Sequence, residues 1–151
     1  KENQLVYREK YYTDKGFDFL CELEPSDMYA QGIALKCVRK IKDNREHYSQ
    51  PGVYLLANSK GQVLKIGQTS NMFNRIYTQY KCVTNATNNR IRDYIKAYEP
   101  VSVYAYMLPK KQSTILGHKV YTSFASGLEH ELLKEYKHTI NRLPILNTMI
   151  R

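Results

Sequence analysis

Two strand-like runs joined by a short polar turn place the strongest constraint on how this chain folds. The runs are Gly52-Val53-Tyr54-Leu55-Leu56-Ala57 and Gln62-Val63-Leu64-Lys65-Ile66-Gly67, and Asn58-Ser59-Lys60-Gly61 lies between them. Aliphatic and β-branched runs of this length, bounded by Asn and Gly, are typical of two strands that form a hairpin. The sequence therefore predicts an antiparallel β-hairpin near the middle of the chain.

Helical periodicity predicts helices on either side of this hairpin. Upstream, the capping segment Pro25-Ser26-Asp27 precedes an apolar stripe at helical spacing. That stripe consists of Ala30, Ile33, Ala34, Cys37, Val38 and Ile41. Downstream, a polar capping segment at residues 69–71 precedes a helix that runs to Tyr80. A short helix over residues 91–98 and a longer helix over residues 123–136 follow.

The remaining segments predict a second strand region and a tail. Residues 101–108 are β-branched and aromatic and predict a strand. We predict a basic turn at residues 109–113 and a loop or another short strand at residues 114–121. Residues 143–147 predict an extended tail.

A single α+β domain, a small antiparallel β-sheet flanked by helices, accounts for all 151 residues. Residues 1–50 are predicted to form an N-terminal arm and helix, in which residues 1–24 are an arm or short edge strands. Residues 51–147 are predicted to form the core of the domain.

Apolar runs and cysteine usage predict a cytoplasmic protein. No run approaches the roughly 18 apolar residues that a membrane-spanning helix needs, and the first residues show no apolar signal-peptide region. The three cysteines are widely spaced and contain no CxxC pair, so neither a full disulfide framework nor a zinc site is expected. Buried free thiols in a reducing cytosol are the expectation.

The charge balance favours an anionic partner. Lys and Arg total 23 against 14 Asp and Glu, which gives a net charge of +9. Nucleic acid is the leading candidate, and an anionic membrane surface is a weaker one because no long basic amphipathic helix is present. A basic protein whose charge serves only solubility is the remaining alternative. The candidate DNA-binding residues are Lys36, Arg39, Lys40, Arg90, Arg92, Lys96, Lys110 and Lys111.

Four side chains suit phosphodiester hydrolysis. The hairpin puts Tyr54 and Lys65 on adjacent strands where they share one face. Gly67, predicted at the junction between strand and helix, allows close approach of backbone or ligand. Arg75 lies in the first turns of the next helix, whose N-terminus favours anions. Glu129 lies on the helix predicted over residues 123–136. A phenol or amine that activates water, a guanidinium that neutralises the phosphorane and a carboxylate that holds a cation form a hydrolytic set.

These residues resemble the GIY-YIG nuclease family. Gly52-Val53-Tyr54 looks like the first family motif and Lys65-Ile66-Gly67 like the second, at a spacing typical of the group. Residues 68–75 resemble the helix start that carries the family arginine, here Arg75. Two positions depart from the family: Lys65 replaces the usual Tyr, and Gln79 stands where a His is frequent.

The resemblance covers about residues 51–147, and it implies an insertion at about residues 81–122, where the chain is longer than a minimal family domain. Residues 128–133 look like the helix that carries the metal-binding glutamate, here Glu129, with Glu131 and Glu135 as rival carboxylates. Pro144-Ile145-Leu146-Asn147 is similar to the closing Pro-x-x-Asn, in which the Asn braces the site. An ammonium beside Tyr54 favours the phenolate, the better proton acceptor, which rationalises Lys65.

The resemblance implies a divalent-metal-dependent DNA endonuclease with one Mg²⁺ or Mn²⁺ per active site. A chain of this size, with extra elements inside one domain, looks most like a site-specific type II restriction enzyme. Palindromic double-stranded sites need two active sites, so a homodimer is expected. Two alternatives stay open: a nonspecific or structure-selective nuclease of the repair or homing type, and a catalytically silent DNA-binding module.

Overall fold

The computed structural model describes residues 8–24, 36–81, 90–91, 93–95 and 100–147. The helices are α1 (Glu9–Thr13), α2 (Lys36–Ile41), α3 (Arg45–Tyr48), α4 (Met72–Lys81) and α5 (Ala125–Ile140). The strands are β1 (Asp18–Leu23), β2 (Gly52–Ala57), β3 (Val63–Thr69), β4 (Val101–Met107), β5 (Lys111–Ile115) and β6 (His118–Thr122). A 3₁₀ turn at Lys42–Asn44 links α2 to α3, and residues 90, 91 and 93–95 are also helical.

Four strands form one antiparallel sheet in the order β1-β4-β2-β3. β2 and β3 form the hairpin that the sequence predicts. A register shift between Leu56 and Ala57 bends this hairpin near its turn. β4 pairs with both β1 and β2, so the segment from residue 81 to 122 supplies a central strand of the sheet. The α+β class with a small antiparallel sheet flanked by helices is confirmed.

Alternate side chains of β2 pack into different cores because successive residues of a strand point to opposite faces. Tyr54 and Leu56 pack with α2 and α4 on one face of the sheet. Val53 and Leu55 pack with α1 and α5 on the other face. β2 is buried along its whole length, so it forms the centre of both cores.

The helices around the predicted hairpin are present, with small differences at their ends. α4 begins one residue after Asn71, whose side-chain oxygen accepts the Asn74 N–H at 3.0 Å and caps the helix. α5 begins two residues later than predicted and continues to Ile140, where Asn141 ends it with a φ of 66°. The last turn of the upstream helix is seen as α2, and its predicted start lies outside the described residues.

Two local predictions are wrong. Residues 111–113 belong to β5 rather than to a basic turn, because they pair with β6 across a turn at Leu116 and Gly117. The tail at residues 143–147 is not extended, because the Asn147 N–H donates to the Pro144 carbonyl at 2.9 Å and closes a turn.

The N-terminal segment contains one predicted and one unpredicted element. β1 is an edge strand of the sheet, one of the two forms predicted for residues 1–24, whereas α1 was not predicted. α1 is attached to the core because the Tyr104 hydroxyl donates a hydrogen bond to the Glu9 carboxylate. Burial, together with this bond, raises the pKa of Tyr104 to about 12.

A disulfide corrects the prediction of free thiols. Cys21 on β1 and Cys37 on α2 are both buried and bonded to each other, with their Cα atoms 5.3 Å apart. The sheet core brings them together because α2 packs against β1, a contact that sequence spacing does not reveal. Cys82 lies outside the described residues. No helix within the described part of the chain is long and apolar enough to cross a membrane.

Candidate active site

The β2–β3 ladder determines where Tyr54, Lys65 and Gly67 point. Tyr54 is directly opposite Gly67, and Leu56 is directly opposite Lys65. Residues opposite each other in an antiparallel pair point to the same face, so all three lie on the face that α4 covers. Tyr54 and Lys65 are diagonal neighbours, a relation that separates Cα atoms by roughly 7–8 Å and is within reach of long side chains.

The side chains of Tyr54 and Lys65 are both buried. Tyr54 is 5% exposed and Lys65 is 8% exposed. Lysine is almost never this buried in proteins unless its charge is compensated, because removing an ammonium group from water is costly. A buried ammonium group beside a buried phenol is the kind of environment that accompanies a functional site.

Gly67 is required by the ring of Tyr54. A Cβ atom placed on Gly67 would lie 2.7 Å from Cε1 of Tyr54 and closer still to its Cζ and hydroxyl oxygen. The close approach predicted for this glycine is therefore made by the tyrosine across the strand. Gly67 also lies inside β3 rather than at the junction with the following helix.

Arg75 is carried by α4, which packs on the same face as Tyr54. The Arg75 N–H donates to the Asn71 carbonyl at 3.0 Å, so the residue lies in the first turn of the helix. Its neighbours Met72 and Ile76 are buried in the core that contains Tyr54, and Arg75 itself is half-buried at the side of that apolar stripe. The positive end of the helix dipole adds to the guanidinium charge here.

Glu129 is buried in the face of α5 that packs against β2 and β3. It is 6% exposed, whereas the side chain of Glu131 is 68% exposed and lies 3.6 Å from Lys134. Glu135 is also exposed, and it accepts a hydrogen bond from the Tyr11 hydroxyl at 2.9 Å. Of these three carboxylates, Glu129 is the one that is buried, and its helix packs on the face of the sheet opposite the one that carries Tyr54 and Lys65.

Asn147 braces β3 between Lys65 and Gly67. Its side-chain oxygen accepts the Ile66 N–H at 2.9 Å, and its side-chain nitrogen donates to the Ile66 carbonyl at 2.8 Å. The Leu146 N–H also donates to the Leu64 carbonyl at 2.8 Å. The C-terminal turn therefore covers the free edge of β3 in the way an additional strand would, which limits movement of Lys65.

Asn58 organises the turn between β2 and β3 through its side chain, whereas the sequence predicted only a polar turn at residues 58–61. It is buried, and its side-chain oxygen accepts the N–H groups of Lys60 and Gln62, each at 3.0 Å. An Asn side chain that bonds the backbone two residues ahead is the signal that could have identified it. These bonds define the turn and therefore the register of Tyr54 against Gly67.

The predicted DNA-binding residues are spread over several elements. Those on the exposed surface are Arg39, Lys40, Arg90, Lys110 and Lys111. Lys40 Nζ lies 4.7 Å from the centre of the Phe19 ring, and Arg90 donates to the Ile145 carbonyl at 2.9 Å. Arg92 and Lys96, and the side chains of Lys36 and Gln79, lie outside the described residues.

Two solved structures share the fold of this chain. A mutant of EndoII from bacteriophage T4 matches with a TM-score of 0.66 and 15% identity, over 94% of this chain and 100% of that one. Restriction endonuclease HPY188I in complex with product DNA matches with a TM-score of 0.55 and 20% identity, over 98% and 90%. No family model matches the sequence, and no curated protein does. The chain thus has the fold of these two proteins along nearly its whole length.

Proposed function

We propose that this protein is a divalent-metal-dependent DNA endonuclease of the GIY-YIG type. The observation that carries the proposal is the hairpin register, which puts the phenol of Tyr54 and the ammonium of Lys65 on one buried face beside the helix of Arg75. Fold similarity to a phage endonuclease and a restriction endonuclease supports the same reaction.

Each side chain has a role in this reaction. Tyr54 takes the proton of the attacking water, and Lys65 favours the phenolate form that accepts it. Arg75, at the N-terminus of α4, stabilises the negative charge that builds on the phosphorane. Gly67, Asn58 and Asn147 hold the hairpin so that these groups keep their positions.

The donor set fits a magnesium or manganese ion. Within the described ranges, no group of three or more His, Cys, Asp or Glu side chains is placed to hold a metal. Glu129 is a single buried carboxylate, and Mg²⁺ is commonly bound through one or two carboxylates with water and substrate phosphate completing its shell. The bound cation would stabilise the leaving oxygen. We therefore propose Glu129 as the ligand, with one cation per active site.

The proposal extends to site-specific cleavage of double-stranded DNA by a homodimer. The fold match to HPY188I, a restriction endonuclease in complex with product DNA, spans 98% of this chain and 90% of that one. A palindromic site presents the same scissile bond on both strands, and a two-fold dimer places one active site at each.

Digestion of supercoiled plasmid tests the function directly. We expect cleavage with Mg²⁺ or Mn²⁺ and none with EDTA, with discrete fragments if the enzyme recognises a site. A smear of fragments would indicate nonspecific cleavage rather than cleavage at a recognised site. Binding without nicking in either metal would contradict the enzyme assignment and favour a silent DNA-binding module.

A further inference from the structure

The β5–β6 hairpin is exposed on both of its faces. All ten residues of the two strands are exposed, from Lys111–Ile115 and His118–Thr122. The two strands form a sheet separate from the four-stranded one. An isolated two-stranded hairpin is marginally stable in water, so a ribbon with neither face covered indicates a binding element.

The tip of this hairpin carries an apolar side chain in an unfavourable backbone conformation. Leu116 is 93% exposed and has a φ of 51°, and Gly117 follows with a φ of 76°. Turns with positive φ at both central residues strongly favour Asn-Gly or Gly-Gly, and leucine in this conformation costs about 1–2 kcal/mol. Neither burial nor turn geometry explains a leucine at this position. Its exposed side chain is therefore available to contact a molecule that binds the hairpin.

The positive charge of the hairpin favours an anionic partner. Residues 109–128 contain three lysines and His118 but no Asp or Glu. Polar and apolar side chains occur on both faces: Ser113 pairs with Val120 on one, and Gln112 pairs with Tyr121 on the other. Lysine is depleted in protein–protein interfaces relative to the rest of the protein surface. A basic ribbon with mixed side chains on both faces suits a groove with anionic walls on either side.

The base of the hairpin is held firmly against the domain. The Ser123 hydroxyl donates to the Leu108 carbonyl at 2.7 Å and accepts the Ala125 N–H at 3.2 Å. The Leu108 N–H donates to the Pro51 carbonyl at 2.8 Å. These bonds tie the hairpin to the start of β2 and to the first turn of α5, the helix that carries Glu129.

We infer that the β5–β6 hairpin enters the major groove of duplex DNA and that Leu116 at its tip contacts the bases. This inference rests on the proposed nuclease function. The major groove is about 12 Å wide and admits a two-stranded ribbon, whereas the minor groove is only about 6 Å wide. In the major groove, an apolar side chain contacts the methyl group of thymine, so Leu116 reads A·T pairs.

Affinity for duplex DNA tests the inference with two substitutions at one position. Leu116→Asn gives the Asn-Gly pair that this turn prefers, so the variant should melt at or above the wild-type temperature while losing the apolar contact. Leu116→Met is the matched control that keeps an apolar tip. Leu116→Gly is the second variant if Leu116→Asn melts below the wild type.

Binding is measured in EDTA by fluorescence anisotropy on an alternating A·T DNA duplex. The comparison is the same DNA duplex with thymine replaced by uracil, which lacks only the methyl groups. We expect Leu116→Asn to bind the A·T duplex about tenfold more weakly than wild type and Leu116→Met. Replacing thymine by uracil should weaken binding of the wild type several-fold and leave that of Leu116→Asn unchanged.

Three results would overturn the inference. They are wild-type affinity of Leu116→Asn, an equal effect of uracil on both proteins, and a loss of binding accompanied by a change of oligomeric state in sedimentation. The last result would make the hairpin an interface between copies of the chain. Failure of the wild type to bind or cut any duplex would remove the proposed function itself, an outcome distinct from these.

Discussion

The ring of Tyr54 lies over the α-carbon of Gly67, its partner across the β2–β3 ladder. The hydrogen atom of a glycine is the only substituent that leaves room for the ring in this position. A glycine at position 67 therefore makes room for the ring of Tyr54. Two segments that are separated along the chain form one packed unit in the fold.

Gly67→Ala should displace the Tyr54 ring and abolish cleavage. A methyl group forced into a packed core costs about 1–3 kcal/mol, so the free energy of unfolding should fall by that amount. Gly127→Ala is the control, because Gly127 is helical and a Cβ there meets nothing within 4 Å. It should stabilise the protein by about 0.5–1 kcal/mol and leave cleavage unchanged. Chemical denaturation and plasmid nicking measure both; full activity of Gly67→Ala would contradict the packing argument.

The β2–β3 hairpin and its neighbouring helices were predictable from sequence because local signals and tertiary packing agree there. The polar turn at Asn58, the cap at Asn71 and the apolar periodicity of α5 each specify their element locally. The β5–β6 hairpin was missed as a hairpin because its strands have no buried face, so apolar alternation is absent. The turn at Leu116 also lacks the usual Asn-Gly signal.

Long-range contacts were the part of the site that sequence did not reveal. The Cys21–Cys37 disulfide depends on the packing of α2 against β1, and the ring of Tyr54 over Gly67 depends on strand register. Burial of Glu129 rather than Glu131 follows from which face of α5 meets the sheet. Periodicity places both glutamates on one helix, but packing decides which of them is enclosed.

Asn147→Ala should weaken the edge of β3 that carries Lys65. The substitution removes both side-chain bonds to Ile66, which should lower the free energy of unfolding by about 1–2 kcal/mol. Cleavage should fall more than DNA affinity, because Lys65 loses its fixed position and not its charge. Asn141→Gly is the control: Asn141 is exposed with a φ of 66°, a conformation that glycine adopts freely. Equal losses in kcat and affinity for Asn147→Ala would count against a positioning role.

Glu129→Gln should abolish metal-dependent cleavage while DNA binding in EDTA remains within about threefold of wild type. The amide keeps the shape of the side chain but loses the charge that holds the cation. Glu131→Gln is the matched control on the same helix, since Glu131 is exposed and ion-paired to Lys134. A 100-fold or greater loss, as an order of magnitude, is expected for Glu129→Gln alone. Near wild-type cleavage by that variant would transfer the ligand role to Glu131 or Glu135.

DNA affinity should fall steeply with salt. With about five phosphates neutralised per subunit, the slope of log K against log salt should be roughly −4 to −5. Lys110 and Lys111 are exposed at the start of the β5–β6 hairpin, and replacing each by Gln should reduce the slope by about 1. Lys137→Gln, in the exposed last turn of α5, should leave it unchanged. A salt slope near zero would mean that these positive charges serve solubility and do not contact phosphates.

Tyr54 and Lys65 should behave as one catalytic unit. Tyr54→Phe deletes a single oxygen and leaves the ring over Gly67, so cleavage should be nearly lost while the packing of the ring is kept. Lys65→Ala should also be severe, with partial recovery at high pH, where a tyrosine ionises without help. Single-turnover rates of the two variants and of the double variant measure the coupling.

The double variant should be little slower than Tyr54→Phe alone, because groups that act on the same proton transfer are strongly non-additive. Lys65→Arg distinguishes charge from shape, since it keeps a cation on the same strand but changes its size and hydrogen-bond geometry. Its rate should lie between those of the wild type and Lys65→Ala. If the defects of Tyr54→Phe and Lys65→Ala multiply instead, Lys65 acts independently on the phosphate, and Tyr54 is not activated through it.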